Sequence, residues 1–230
     1  MDTSKLQEMM HTIGNQTYNN LHITPEWGLN IQDKDIELLK PYITRKGKII
    51  DIGANLGIFS IIYSQVYPYT QFICFEPTPH IAEHCGNNLT KVGLPFTMYQ
   101  TALSNRNDVA HFRVGTMHQT NKLAVDGIEV EVRELDTYNF TDVAVIKIDV
   151  EGHELEVLQG ARNTIVNQQP IIILEYHPEA DSAAIFDFIE ELEYDIIFLE
   201  GQFNAGQCNH FLLKPNHTYL IDENNSIQFP

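Results

Sequence analysis

Acidic side chains follow four apolar stretches of the sequence at the points where those stretches end. They are Asp51 after KII, Glu76 after QFICF, Asp149 after VAVIKI and Glu175 after IIIL. Ligands of open α/β sheets bind beyond the carboxyl ends of the strands, so we expect these carboxylates to share one crevice. Carboxylates placed there can attract a cationic ligand, accept hydrogen bonds from hydroxyl groups or accept a proton. The pattern therefore predicts a small-molecule site.

The first acid opens a glycine-bracketed turn, DIGANLG, which leads into an apolar helical stretch at Ile58. Glycine lets the backbone turn tightly and approach a ligand, and a helix N-terminus points free N–H groups at the turn. Gly53 and Gly57 do not match the G-x-G-x-x-G spacing of a dinucleotide loop. Asp51 would repel a pyrophosphate but attract the ammonium and sulfonium groups of S-adenosylmethionine. The loop therefore favours S-adenosylmethionine over NAD.

The acid at the end of the second apolar stretch suits a nucleoside. Glu76 lies about 20 residues beyond the glycine loop, where an acid can accept hydrogen bonds from both ribose hydroxyls. NAD sites and adenosyl sites share this feature, so it indicates a nucleoside without choosing the coenzyme. An NAD-type oxidoreductase and a non-catalytic scaffold module with a nucleoside pocket are therefore the alternatives to a methyl-transfer enzyme.

The most highly charged strand end reads KIDVEGHE. Side-chain alternation puts Lys147, Asp149 and Glu151 on one face of a strand whose apolar run predicts burial on both sides. Unpaired buried charges are costly, so Asp149 either forms an ion pair with Lys147 or acts as a general base. In the first case Glu151 and Glu154 only complement the dipole of the next helix. His153 is a further candidate, because it opens that helix, whose N-terminus disfavours a protonated imidazole.

A second pair of candidate catalytic residues follows the neighbouring strand. Glu175 and His177 share one face of the stretch 171–176, which we expect to lie beside the Asp149 strand. An unperturbed histidine has a pKa of about 6.5, so His177 is the second candidate base after Asp149. A divalent ion such as Mg²⁺, bound by Asp149, Glu151 and Glu175, is another interpretation, because hard oxygen ligands suit that ion.

Alternating strands and helices position these groups. Apolar runs predict strands at 48–51, 71–77, 96–103, 143–150, 171–176, 195–199 and 211–214. Helical spacing and end signals predict helices at 32–42, 58–67, 79–91, 153–166 and 181–192. Stretches 110–114 and 128–135 alternate apolar and polar residues, which predicts an added antiparallel β-hairpin, with 115–127 as a substrate loop. The order indicates an α/β fold with a doubly wound, mostly parallel sheet.

Length and charge limit the class of protein further. The 230 residues suit one α/β domain with one core. Acidic residues outnumber basic ones by 31 to 14, which gives a net charge of −17. Such a chain repels a phosphate backbone, so we expect no nucleic acid partner, and a neutral or cationic acceptor is easier to accommodate.

Cysteine usage and hydropathy indicate a compartment. Cys74, Cys85 and Cys208 are odd in number and form no C-x-x-C pair, so we expect reduced thiols and a cytoplasmic protein. The first residues, MDTSKLQEMM, lack the features of a signal peptide, and no apolar run approaches the length of a membrane span. We therefore expect no membrane partner.

Taken together, these segments resemble the FkbM family of S-adenosylmethionine-dependent methyltransferases. The matching segments run in order from about residue 48 to residue 178, and KIDVEG followed by E-x-x-V-L-x-G-A is the most specific of them. They read IIDIGANLGIFS, CFEPTPH, TALSNRNDVAHF, ELDTY, VIKIDVEGHELEVLQGA and PIIILEYHP.

The resemblance implies both an architecture and a reaction. The architecture is a seven-stranded Rossmann-like sheet of the class I methyltransferase type, with the last strand antiparallel. The reaction is O-methylation of a hydroxyl on a sugar, a glycan or a glycosylated natural product. We expect a partly helical N-terminal extension at residues 1–46 and the S-adenosylmethionine-binding domain at residues 47–230.

The resemblance also implies contacts to S-adenosylmethionine. Glu76 would bind the ribose, and Leu103 with Ser104 would contact the adenine edge. The methionine part would lie against Asp51, Gly53, Asn55 and Gly57.

Overall fold

A computed structural model describes residues 41–43, 45–67, 70–113, 122–124, 127–177, 180–198, 209–216, 220–221 and 227–228. The expected N-terminal extension, with its helix at 32–42, lies outside the described residues apart from positions 41–43 and 45–46. The same holds for residues 115–121 of the predicted substrate loop and for Cys208.

Thirteen strands and five α-helices occur in the described residues. The strands are β1 (Lys48–Ile52), β2 (Phe72–Phe75), β3 (Phe96–Tyr99), β4 (Ala102–Leu103), β5 (Asp108–Arg113), β6 (Lys122–Ala124), β7 (Ile128–Arg133), β8 (Val143–Ile148), β9 (Ile171–Tyr176), β10 (Tyr194–Phe198), β11 (Asn209–Pro215), β12 (Leu220–Ile221) and β13 (Ile227–Gln228). The helices are α1 (Ile58–Val66), α2 (Pro79–Lys91), α3 (Glu154–Gly160), α4 (Arg162–Gln168) and α5 (Ser182–Glu191).

The main sheet has seven strands in the order β10-β11-β9-β8-β1-β2-β3. Strands β3, β2, β1, β8 and β9 pair in parallel, and β11 runs antiparallel to both β9 and β10. The structure therefore confirms the expected seven-stranded, mostly parallel sheet with an antiparallel last strand.

Both faces of the main sheet are covered, which explains why its central strands read as continuous apolar runs. Ile50 and Ile146 belong to the core on one face, and Ile49 and Val145 belong to the core on the other. Strand β8 is buried along its whole length, including Lys147. A fully buried isoleucine contributes roughly 1.5–3 kcal/mol, so these strands form a stable frame for the residues that follow them.

The helix predicted at 153–166 is two helices, α3 and α4, with a break at Ala161. Asp136, in a 3₁₀ turn after β7, accepts hydrogen bonds from the backbone N–H groups of Asn163 and Thr164 at 2.8 and 2.7 Å. A carboxylate from a distant segment therefore caps α4 and fixes a second helix start. The predicted N-cap of α5 is confirmed, because Asp181 accepts from the N–H of Ala184.

The predicted strand 96–103 is also divided. Strand β3 belongs to the main sheet, whereas β4 pairs with β7 in a second sheet of order β4-β7-β5-β6. The predicted antiparallel hairpin is present as β5 and β7, but β6 comes from the stretch predicted as a loop and makes this sheet four-stranded. Ala102, Phe112, Val130 and Val132 form a small core on this second sheet.

Cys74 and Cys85 are free thiols, and both are buried. Cys74 lies on β2. Cys85 lies on α2, close to Gly57 of the glycine loop. Within the described ranges, no helix combines the length and the apolar character that a membrane span requires.

Candidate active site

A cavity lies at the carboxyl ends of β1, β2 and β8 and is bordered by the second sheet. Ligands of open α/β sheets bind at this end of the strands, so the position of the cavity suits a ligand. The predicted site residues that line it are Gly53, Asn55, Glu76, Leu103, Asp149 and Glu151. The predicted residues outside its lining are Asp51, Gly57, Ser104, Glu175 and His177.

The glycine loop is held by close packing on both sides. Gly53 has φ +74, and a Cβ there would lie 1.9 Å from the backbone oxygen of Asp149. Gly57 has φ +81, and its Cβ would lie 3.0 Å from Sγ of Cys85. Both positions need glycine for conformation and for space, so the loop is fixed against β8 and α2.

Glu76 is oriented by the backbone. Its Oε2 accepts from the N–H of Asn55 at 3.1 Å, and its Oε1 accepts from the N–H of Thr78 at 2.9 Å. Burial raises the pKa of Glu76, and these hydrogen bonds oppose the rise. Each carboxylate oxygen has a second lone pair, so Glu76 can accept further hydrogen bonds in the cavity.

Asp51 is buried and does not line the cavity. Its Oδ2 accepts from Oγ of Ser60 at 2.7 Å, and its Oδ1 lies 3.6 Å from Nζ of Lys147, without a hydrogen-bond partner among the described residues. Lys147 donates in turn to the carbonyl oxygen of Gly53 at 3.1 Å. The charge beside Asp51 in the structure is therefore the lysine, and its predicted contact with a cationic ligand stays a prediction.

Lys147 also forms the ion pair with Asp149 that the sequence offered as one interpretation. Its Nζ lies 3.1 Å from Oδ2 of Asp149. Burial lowers the pKa of Lys147, but the carboxylates of Asp149 and Asp51 outweigh burial and raise that pKa overall. Lys147 therefore stays charged and links β1, the glycine loop and β8.

The predicted catalytic residues meet around His177. Its Nε2 lies 3.5 Å from a carboxylate oxygen of Glu151, 3.9 Å from one of Asp149 and 4.0 Å from one of Glu175. The His177 side chain is only 5% exposed. The structure therefore brings the residues of the KIDVEGHE segment and of the β9 end into one acidic cluster, as the sequence predicts.

Glu154 determines the charge of His177. Its Oε1 lies 2.8 Å from Nδ1 of His177 and accepts from the N–H of Gly152 at 3.0 Å. Burial lowers the pKa of His177, but the Glu154 hydrogen bond and the charge of Asp149 raise it to about 9. His177 is thus protonated at neutral pH, which argues against its predicted role as a base. The sequence indicated only a helix-dipole role for Glu154 and not its contact with His177. The signal that could have indicated this contact is the burial of His177, because buried polar side chains are normally hydrogen-bonded.

Glu151 combines an unusual backbone with a near-neutral pKa. It has φ +55, a left-handed conformation that is uncommon outside glycine and is often found at functional sites. Burial raises the pKa of its carboxyl group to about 7, although His177 opposes the rise. Burial also raises the pKa of Asp149, against the effect of Lys147. Glu151 lines the cavity and is half ionised near pH 7, so it is suited to accept a proton.

The far wall of the cavity includes Leu103 and His153. Ser104 is fully buried behind it, with its Oγ 2.9 Å from Nε2 of His153. Burial lowers the pKa of His153, so its ring is neutral at neutral pH. Ser104 therefore supports the wall through His153, and its predicted contact with adenine stays a prediction.

The predicted metal site has a different composition from the one expected. Within the described residues, ligand atoms of Asp149, Glu151 and His177 lie within 4.8 Å of one another, and Glu175 is not part of that group. The raised pKa of His177 means that its Nε2 carries a proton at neutral pH. A divalent ion would have to displace that proton, and its presence stays a prediction.

The strand order, the glycine loop after β1 and the acid after β2 define a Rossmann-like fold of the class I methyltransferase type. Residues 51–196 match the methyltransferase FkbM domain. This match covers more than half of the chain, so the protein belongs to the FkbM methyltransferase family and is an enzyme that transfers methyl groups. Membership supports the methyltransferase interpretation over an NAD-type oxidoreductase or a non-catalytic module.

The chain is similar to two curated enzymes. It is 28% identical over 197 residues to the 2-O-methyltransferase NoeI of Sinorhizobium fredii, a match that covers 72% of this chain and 78% of NoeI. It is 24% identical over 149 residues to the hexuronic acid methyltransferase AglP of Haloferax volcanii, covering 61% of this chain and 60% of AglP.

A solved structure shares the fold. The crystal structure of methyltransferase FkbM from Methylobacillus flagellatus aligns with a TM-score of 0.56 and 17% identity. The alignment covers 73% of this chain and 43% of that chain, so this protein spans less than half of the length of the solved one.

Proposed function

We propose that the protein transfers a methyl group from S-adenosylmethionine to a hydroxyl of a sugar, a glycan or a glycosylated natural product. One observation carries this proposal: a single cavity joins the nucleoside-type residues Gly53 and Glu76 to the carboxylates Asp149 and Glu151. The name of one curated relative, a 2-O-methyltransferase, supports a hydroxyl as the acceptor group, and the name of another, a hexuronic acid methyltransferase, supports a sugar as the acceptor.

The residues on the glycine-loop side fit the donor. The carboxylate of Glu76, directed by two backbone N–H groups, accepts hydrogen bonds from the ribose hydroxyls. The loop from Gly53 to Gly57, with Asn55 on the cavity wall, holds the methionine part, and Leu103 contacts the adenine. When bound, S-adenosylmethionine supplies an electrophilic methyl group on a positively charged sulfur.

The acidic cluster activates the acceptor. A sugar hydroxyl is a poor nucleophile until its proton is removed. Glu151 would accept that proton as the methyl–sulfur bond breaks and the oxygen–methyl bond forms, which leaves S-adenosylhomocysteine. Asp149 is fixed by Lys147 and accepts a hydrogen bond from a second hydroxyl of the acceptor, which orients the ring. His177 stays protonated and holds Glu151 and Glu175 in place. Glu151 therefore takes the role that the sequence assigned first to Asp149.

The test combines donor binding with methyl transfer. We expect calorimetry to detect S-adenosylhomocysteine binding, and Glu76→Ala to weaken it by at least about tenfold, because a hydrogen bond to a charged group contributes about 1.5–3 kcal/mol. Glu190→Gln, an exposed acid on α5, is the matched control. Radiolabelled methyl transfer to a panel of sugars and glycan fragments then tests the acceptor. Binding of NADH in place of S-adenosylhomocysteine would overturn the proposal.

A further inference from the structure

The acceptor side of the cavity is negatively charged. Asp149 and Glu151 line the cavity on this side, and none of the described residues that line the cavity is lysine or arginine. Sugar hydroxyls donate hydrogen bonds readily to carboxylates, so a neutral sugar ring suits these walls. A carboxylate on the acceptor would be repelled by these carboxylates, and no lysine or arginine among the described lining residues would offset the repulsion.

The cations behind this wall already have partners. Lys147 lies 3.1 Å from Asp149 and 3.6 Å from Asp51, and its side chain is 10% exposed. His177 lies 2.8 Å from Glu154 and within 4.0 Å of carboxylate oxygens on three further residues. Carboxylates outnumber cations in this cluster, so neither cation is left to balance an acidic acceptor.

The other basic side chains near the cavity that the structure describes are also paired or neutral. His153 lines the cavity, and burial lowers the pKa of its ring. Arg106, whose charge acts on His153, is exposed and lies 3.5 Å from Asp108. Arg133 forms an ion pair with Glu131 on the second sheet. These cations lie at the protein surface, where water and salt screen them.

The connecting sequences agree with this charge distribution. Residues 114–121, between β5 and β6, read VGTMHQTN, and residues 199–208, between β10 and β11, read LEGQFNAGQC. Neither sequence contains lysine or arginine, and the second contains an acid. These two connections therefore supply no lysine or arginine to the chain.

We infer that the acceptor is a sugar without an acidic group, and that the carboxylate wall formed by Asp149 and Glu151 excludes uronic acids and other anionic sugars. This substrate class deepens the proposed function and rests on it. Reaction is still expected with the amide of a uronic acid, because the amide has nearly the same shape without the charge.

The experiment compares uronates with their primary amides. The full chain is assayed with S-adenosylmethionine and the methyl glycosides of glucose, galactose, glucuronate, galacturonate, glucuronamide and galacturonamide. At low ionic strength we expect kcat/KM for the preferred uronamide to exceed that of its uronate by about tenfold or more. The ratio should shrink as salt is added, because salt screens the repulsion.

Two variants locate the source of the discrimination. Glu151→Gln and Asp149→Asn each lower the overall rate, so the readout is the ratio of uronamide to uronate, which we expect to fall at least about threefold in each variant. Glu190→Gln should leave the ratio unchanged.

The outcomes separate this inference from the proposed function. Turnover of a uronate as fast as its amide, or an unchanged ratio in both cavity variants, would overturn the inference while leaving sugar methylation intact. If no neutral or acidic sugar is methylated although S-adenosylhomocysteine binds, the sugar acceptor itself is wrong, and the inference fails with it.

Discussion

The two walls of the cavity are built in different ways. On the side proposed to bind the donor, backbone groups fix the wall. Gly53 is fixed by close packing, and Glu76 is oriented by N–H groups of Asn55 and Thr78. On the acceptor side, side chains from β8, the turn after it and β9 hold one another by charge. The donor wall is therefore fixed by backbone contacts, whereas the acceptor wall is a network of coupled charges that depends on pH.

Lys147 is the residue that joins the two walls. It pairs across β1 and β8 with Asp51, forms an ion pair with Asp149 and donates to the carbonyl of Gly53. Losing Lys147 should therefore affect the stability of the whole fold as well as ligand binding. The difference between the walls can thus be tested by replacing Lys147 and residues of each wall in separate variants.

The largest effect is expected for Lys147→Met. This change leaves Asp51 and Asp149 without their cation, and breaking a buried ion pair typically costs about 3–5 kcal/mol. Lys214→Met is the matched control, since Lys214 pairs with Asp195 at 2.6 Å on the surface, where such pairs contribute about 1 kcal/mol or less. Denaturant unfolding of both variants measures the two costs. Equal costs would mean that Lys147 does not link the walls.

Gly53→Ala should be the next most damaging change. Its Cβ would lie 1.9 Å from the Asp149 backbone oxygen, so we expect a loss of at least about 3 kcal/mol from overpacking and strain. Gly93 has a similar φ, +71, but no atom lies within 4 Å of its Cβ position. Gly93→Ala should therefore cost only about 1 kcal/mol. Similar free energies of unfolding for the two variants would show that conformation, not packing, fixes the loop.

The same difference between the walls explains what the sequence could predict. The glycine loop and Glu76 lie within one β-α-β unit, so spacing alone indicated a nucleoside site. The contact between Asp51 and Lys147 depends on the register between β1 and β8, and the Glu154–His177 contact depends on the turn after β9. The spacing of residues along the chain indicates which residues could form such contacts, but not which residue contacts which.

The division of the predicted strand 96–103 and of the predicted helix 153–166 was missed for a related reason. Strand β4 has only two residues, Ala102 and Leu103, and pairs with β7 about thirty positions further on. The start of α4 is set by Asp136, which contacts it from a separate 3₁₀ turn. Local periodicity carries no signal for a cap or a pairing that distant segments supply, so one strand and one helix were predicted where the chain forms two of each.

Glu151→Gln tests the acceptor wall directly. Removing the proton acceptor should lower kcat by about 100-fold while S-adenosylhomocysteine binding stays close to normal. Since the pKa of Glu151 is raised to about 7, kcat/KM of the wild type should rise with pH through about 7, as the carboxylate forms. Steady-state kinetics across pH checks both points. If the variant keeps the wild-type rate and pH profile, Glu151 is not the base, and Asp149 becomes the first candidate.

Glu154→Gln should change how stability depends on pH. The pKa of His177 is raised from 6.5 to about 9, so its contribution to stability is fully present below pH 6.5 and is lost as the pH rises through 9. That contribution is about 3 kcal/mol, and the variant should lose most of it and unfold more easily at pH 6. Glu156→Gln, which removes the partner of His153 on the same helix, should leave this dependence unchanged. A wild-type profile in the Glu154 variant would contradict the assignment.

The smallest effect is expected from removing divalent ions. Lys147 and the protonated His177 already supply positive charge to Asp149 and Glu151, so EDTA should change the rate of methyl transfer by less than about twofold. Added Mg²⁺ should also have little effect, because binding at His177 requires loss of a proton whose pKa is about 9. Activity that is lost in EDTA and restored by Mg²⁺ would instead show that a metal ion replaces the His177 proton. A bound metal ion would then hold the carboxylates of the acceptor wall in place. The two walls would still differ, because backbone groups fix the donor wall and charges fix the acceptor wall.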